Sequence, residues 1–151
     1  MPNWCLCSLE IRGPAEAVED FIQKNRTESA PLSFSAQVPM PAGEADPCEW
    51  ASKHWGTKWE PDLDQCEWQK DEGVISIDMM TAWSPPDEWL VKVSRLHPEL
   101  TFTLKYDEPS MDFSGKIEVR NGVTLKDNEA RSQIAIQFLA QQEQMAAEKQ
   151  T

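Results

Sequence analysis

Trp4-Cys5-Leu6-Cys7-Ser8-Leu9-Glu10-Ile11-Arg12, closed by Gly13-Pro14, is the stretch on which the fold turns. Cys5, Cys7, Leu9 and Ile11 fall on one side of an extended chain, and Ser8, Glu10 and Arg12 on the other. That period of two marks a half-buried strand. Gly13-Pro14 stops it, and Pro14 suits the first position of a helix. Val18, Phe21, Ile22 and Asn25 then repeat at the spacing of one buried helical stripe. Glu16, Glu19 and Asp20 lie toward its positive end, Lys24 and Arg26 toward its negative end.

Residues 27–61 form a long excursion. Pro31, Pro39, Pro41 and Pro47 forbid a regular central strand there, although Leu32-Ser33-Phe34 suits a short extended piece. Trp50, Trp55 and Trp59 argue for order, and Pro47 to His54 suits a short helix before Gly56. Leu63–Gln69 and Val74–Trp83 flank Lys70-Asp71-Glu72-Gly73 as two strands around a turn. Ser84-Pro85-Pro86-Asp87-Glu88 reads as a helix start with Ser84 as cap; Trp89, Leu90, Val93 and Leu96 share a face, and His97-Pro98 ends it with His97 at the surface. Leu100, Phe102, Leu104 and Tyr106 alternate with Thr101, Thr103, Lys105 and Asp107, the clearest strand in the chain. Gly115–Leu125 suits a further strand or a hairpin turning at Asn121-Gly122. Lys126–Thr151, rich in Gln, Ala and Glu, has helical propensity and a thin stripe of Ile134, Phe138 and Met145.

Strand, helix, excursion, strand, strand, helix, strand is the order of two split β-α-β units. The expected class is α+β, a ferredoxin-like antiparallel sheet with two helices on one face. The expected organisation is one domain over residues 1–125, carrying the excursion 27–61, and an appended helix over 126–151 that packs on the domain or on a second copy. In this topology the start of the first strand lies beside the ends of the third and fourth. Asn3, Trp4, Cys5, His54, Trp55, Gly56, Thr57, Lys58, Trp59, Trp83, Ser84, Tyr106 and Glu108 therefore meet at one rim of the sheet, the candidate binding site.

The chain has 151 residues, 14 Lys+Arg and 26 Asp+Glu, hence a formal charge of −12, with seven Trp beside one Tyr. The charge opposes nucleic-acid and anionic-membrane binding, which need a basic footprint, and favours a protein partner with a basic surface. Residues 62–112 hold 4 basic against 12 acidic residues, a balance of −8. Asp62, Asp64, Glu67, Asp71, Glu72, Asp78, Asp87, Glu88, Asp107 and Asp112 are the candidate acidic face. Neither a signal peptide nor a membrane span is legible, so a cytoplasmic setting is expected, with Cys5, Cys7, Cys48 and Cys66 as thiols. Cys5-x-Cys7 lacks the knuckle spacing of a zinc site, and no metal or cofactor is expected. His54 with Glu108 or Glu60, or Cys5 as nucleophile, are the only catalytic groupings on offer, and no set of acid, base and nucleophile assembles from them.

Pro2-Asn3-Trp4-Cys5, Trp55-Gly56-Thr57-Lys58-Trp59, Thr81-Ala82-Trp83-Ser84-Pro85-Pro86 and Tyr106-x-Glu108…Phe113-x-Gly115 together resemble the YubB-like ferredoxin-fold family of bacterial plasmids, phages and prophages. The resemblance spans about residues 2–123. Cys7 and His54 stand where that family usually has Asn, and Pro109-Ser110 replaces a glycine. It implies the ferredoxin-like fold and a mobile-element setting, and it carries no catalytic residues with it. The expected function is an accessory binding protein that occupies a basic surface, such as that of a host defence or nucleic-acid-processing protein. The alternative is a small-ligand or enzymatic site at the tryptophan rim. A single-stranded nucleic-acid binder stacking bases on the indoles ranks last, because a basic groove is missing.

Overall fold

β1 (Trp4–Arg12) lies inside the sheet, flanked on both sides, which is why its inward residues are all apolar or thiol: Cys5, Cys7, Leu9 and Ile11 are buried. The computed structural model describes residues 3–64, 66–71, 74–109 and 113–131, with residue 71 and residues 126–131 described by backbone only. Within them α1 (Ala15–Asn25), α2 (Pro47–His54) and α3 (Asp87–Leu96) accompany β2 (Gln69–Asp71), β3 (Val74–Ala82), β4 (Thr101–Glu108), β5 (Phe113–Arg120) and β6 (Val123–Arg131). The strands form one antiparallel sheet in the order β2-β3-β1-β4-β5-β6. The first four reproduce the ferredoxin-like arrangement expected from the sequence, and the β5–β6 hairpin extends it past β4.

The apolar faces of α1 (Val18, Phe21, Ile22) and α3 (Trp89, Leu90, Val93) meet the inward residues of the sheet in one core. Phe21 sits at its centre, 5.1 Å from Phe102, 5.0 Å from the His97 ring and 6.4 Å from Trp89. Phe34, in a single 3-10 turn (Phe34–Ala36), carries the excursion into the same core against Trp55 and Trp89. Aromatic pairs of this kind add to the burial of large rings.

Several sequence expectations need correction. Leu63–Gln69 is not a strand. The chain pairs with β3 at Asp62 opposite Met80 and again at Gln69 opposite Ser76. From 62 to 69 is seven steps against four from 80 to 76, so three extra residues loop out, and Trp68 turns into the core edge, donating from Nε1 to Pro31 O. α3 begins at Asp87, not beside Ser84. Ser84 does not cap it, because its hydroxyl donates to Gly56 O instead. Leu96 is exposed, and Ser94 takes its place in the buried face.

His97 is not at the surface. It is 6% exposed, lies on Phe21, and bonds through Nε2 to Gln37 Oε1 at 2.9 Å. β3 ends at Ala82, and Trp83 takes a left-handed φ of 72°. Lys126–Arg131 continue β6 as strand, so the expected boundary at 126 falls inside the sheet. The remainder of the expected C-terminal helix lies outside the described residues.

Candidate functional site

Register places the rim. Trp4 pairs with Ala82 and Cys5 with Thr81, and Leu6 pairs with Asp107, one step from Glu108. Trp83 N donates to Asn3 O at 2.7 Å. The Trp55–Trp59 segment is fastened to this corner at each residue. Trp55 is buried and donates from Nε1 to Val38 O at 2.9 Å. Gly56, at φ 87°, sits on the first turn of α3, where a Cβ would come 2.1 Å from an Asp87 carboxylate oxygen. Buried Thr57 donates to Ala82 O at 2.8 Å, and Thr81 donates to Ser84 O at 2.7 Å. Lys58 lies 4.8 Å from the Trp83 ring centre, and Trp59 meets Trp4 edge to face.

The sequence-distant clusters thus do come together, but most of their polar atoms are engaged with the chain's own carbonyls. The rim is a packed seam. What it leaves outside is aromatic: Trp59 is 38% and Trp83 40% exposed, with Trp4 half-buried beside them.

The candidate catalytic groups are held in structural roles. His54 Nδ1 contacts Trp50 O at 2.9 Å, and its ring stacks on Trp50 at 4.3 Å. Glu60 receives Ser33 Oγ at 2.6 Å, Ser35 Oγ at 2.9 Å and the Phe34 N–H, a carboxylate clamp on the turn that carries Phe34. Cys5 is fully buried, with Cys7 Sγ 3.9 Å away. Its thiol is pushed well above the ordinary range, first by the hydrogen bond with Cys7, then by burial, then by the charges of Cys7 and Glu108. A nucleophile needs the opposite shift. Tyr106 and Glu108 are buried on the same inward face. The four cysteines are free thiols, and no cluster of three metal-ligating side chains occurs among the described residues.

The acidic residues do not form one face. Glu67 pairs with Arg26 at 3.1 Å, and Asp87 and Glu88 sit in the first turn of α3, where the helix dipole favours them. Asp71 (as a side chain), Glu72 and Asp112 lie outside the described residues. Asp62, Asp64, Asp78 and Asp107 do gather. They border a groove of about 430 Å³ on the sheet face opposite α1 and α3, with Leu6, Leu63 and Met80 between them and Lys105 as the one cation among its described lining residues. Lys105 is itself held by Glu10 at 3.1 Å.

The sequence reading passed over Leu6 and Met80. The signal was present: both are apolar at outward positions of otherwise alternating strands, and Leu6 is 45% exposed. The Asn25–Gln37–His97 chain of hydrogen bonds was also missed, because it joins α1, the excursion and the end of α3 across distances no local spacing reveals.

A four-stranded ferredoxin-like core with an added hairpin, a packed tryptophan seam and an acidic groove opposite α1 and α3 defines an α+β domain of the ferredoxin-like class. Residues 54–149 match the family described as the ferredoxin-like domain in Api92-like protein, and the chain belongs to that family. The match runs through the tail beyond residue 125, while β1 and α1 precede it. The crystal structure of a protein api92 from Yersinia pseudotuberculosis is similar in fold, with a TM-score of 0.53 at 18% identity over 66% of this chain. The chain spans 39% of the length of that protein. No curated protein matches the chain. No helix among the described residues is long and apolar enough to cross a membrane.

Proposed function

We propose that this domain is an acidic binding module that receives a basic surface of another protein on the open face of its sheet. The observation that carries the reading is the groove in which Asp62, Asp64, Asp78 and Asp107 surround Leu6 and Met80. An exposed apolar floor supplies contact area, and the carboxylates around it select cationic partners and speed encounter. The resemblance to YubB-like domains supports a finer version, a mobile-element protein acting in the cytoplasm on a host defence or nucleic-acid-processing protein. A net charge of −12 suits a competitor for a site that normally holds a phosphate backbone. The alternative, a small ligand at the tryptophan seam, is less well supported, because Trp55 Nε1, Thr57 and Ser84 already donate within the chain.

The test compares the full chain with the variant Asp62→Asn, Asp64→Asn, Asp78→Asn and Asp107→Asn as baits for bacterial lysate at low and high salt. The expected outcome is a basic protein retained by the natural chain, released by salt and absent from the variant. Equal recovery on both baits, or none on either, refutes the reading.

A further inference from the structure

Beside the groove, and sharing Asp62, Leu63 and Asp64 with it, lies a second concavity of about 760 Å³. Trp4 and Trp59 wall it at ring centroids 6.4 Å apart and an interplanar angle of 77°. Two indoles at nearly a right angle make a corner rather than a stack. A cation entering such a corner would meet electron-rich ring surface, in a concavity whose lining also includes carboxylates. The described lining contains Asp62, Asp64, Glu60 and Glu67 and no lysine or arginine. Glu60 is engaged by hydrogen bonds from Ser33, Phe34 and Ser35, and Glu67 is paired with Arg26, so both already have partners within the chain. Among the described residues Asp62 and Asp64 pair with no cation. One neighbouring indole of the rim already holds a cation: Lys58 sits over Trp83.

We infer that the Trp4–Trp59 corner is the anchor pocket for one arginine side chain of the partner, with Asp62 or Asp64 as its carboxylate. The inference rests on the proposed binding of a basic partner and adds where its key residue enters. Arginine fits better than lysine, since its flat guanidinium stacks on an indole while its edge donates to a carboxylate in the same plane. The position also suits a hot spot, because Trp and Arg dominate such sites and the apolar floor of Leu6 and Leu63 adjoins it.

The probe is N-acetyl-arginine amide, with its uncharged isostere N-acetyl-citrulline amide, titrated into the full chain while the indole N–H resonances are followed by NMR. Trp4 and Trp59 are expected to shift with the arginine compound and not with citrulline. Trp59→Ala should weaken binding about three- to thirtyfold, the range for loss of a cation–π contact. Asp62→Asn with Asp64→Asn should weaken it without altering the melting temperature. Shifts confined to Trp83, equal response to citrulline, or response to tetramethylammonium but not to the arginine compound would each overturn the assignment. A lysate partner that needs Asp78 and Asp107 but is indifferent to Trp59→Ala would leave the binding module standing and remove the arginine pocket.

Discussion

Gly56 shows how one residue can fix a whole corner. Its positive φ and the missing side chain let the loop lie directly on the first backbone N–H groups of α3, 3.1 Å from where a Cβ would stand. Gly56→Ala should therefore cost roughly 1–3 kcal/mol, measured by thermal or urea unfolding, from strain and the forced shift of Asp87. The thiols make a second residue-level prediction. Cys48 is exposed and Cys66 partly so, whereas Cys5 and Cys7 are buried. A thiol reagent should label Cys48 and Cys66 in the native protein, and Cys5 and Cys7 only on unfolding.

His97 makes a third. Burial lowers its pKa below the ordinary 6.5, and Lys24 adds to this, while Asp20 at 3.8 Å opposes it. A histidine held neutral in the folded chain binds its proton more readily when unfolded. Its contribution to stability is therefore complete above about pH 6.5 and is lost as the pH falls below that value. His97→Gln should flatten the decline in melting temperature between neutral pH and pH 5.

At the scale of elements, the β5–β6 hairpin is joined to the helical layer by its turn. Gly122 N donates to Ser94 Oγ at 2.8 Å, and Ser94 in turn donates to Val91 O at 2.7 Å. Ser94→Ala should cost about 1–2 kcal/mol and raise hydrogen exchange in β5 and β6 before the other strands.

This layer of organisation was legible in part. β1, β4, α1, α2 and the Asn121-Gly122 turn follow from alternation, helical stripes and turn chemistry, all of them local. The broken strand 62–69 and the start of α3 did not, for a shared reason. Trp68 leaves the ladder to reach Pro31, and Ser84 turns to Gly56, each choosing a partner far off in sequence over its neighbours. The convergence of the rim was legible because topology alone dictates it. That its polar atoms face inward was not, since whether Thr57 or Ser84 meets a ligand or a carbonyl depends on backbone positions tens of residues away.

At the scale of the whole molecule, exposed apolar side chains and carboxylates share one surface of the sheet. The helical side buries its aromatics, and the open side keeps Leu6 and Met80 among aspartates. Association through that face should be fast and sensitive to ionic strength, its rate falling several-fold between low and physiological salt, as stopped-flow fluorescence of Trp59 would report.

The three extra residues between Asp62 and Gln69 have one more effect. A sheet margin with a continuous ladder of unused amides invites strands from other chains, and long flat margins are where such proteins aggregate. Among the described residues that margin offers only the short run of β2 and the bridge at Asp62, out of step with each other by three residues. A foreign strand could pair with one or the other but not run through both. The detour that brings Trp68 to the core also keeps this side of the sheet from growing.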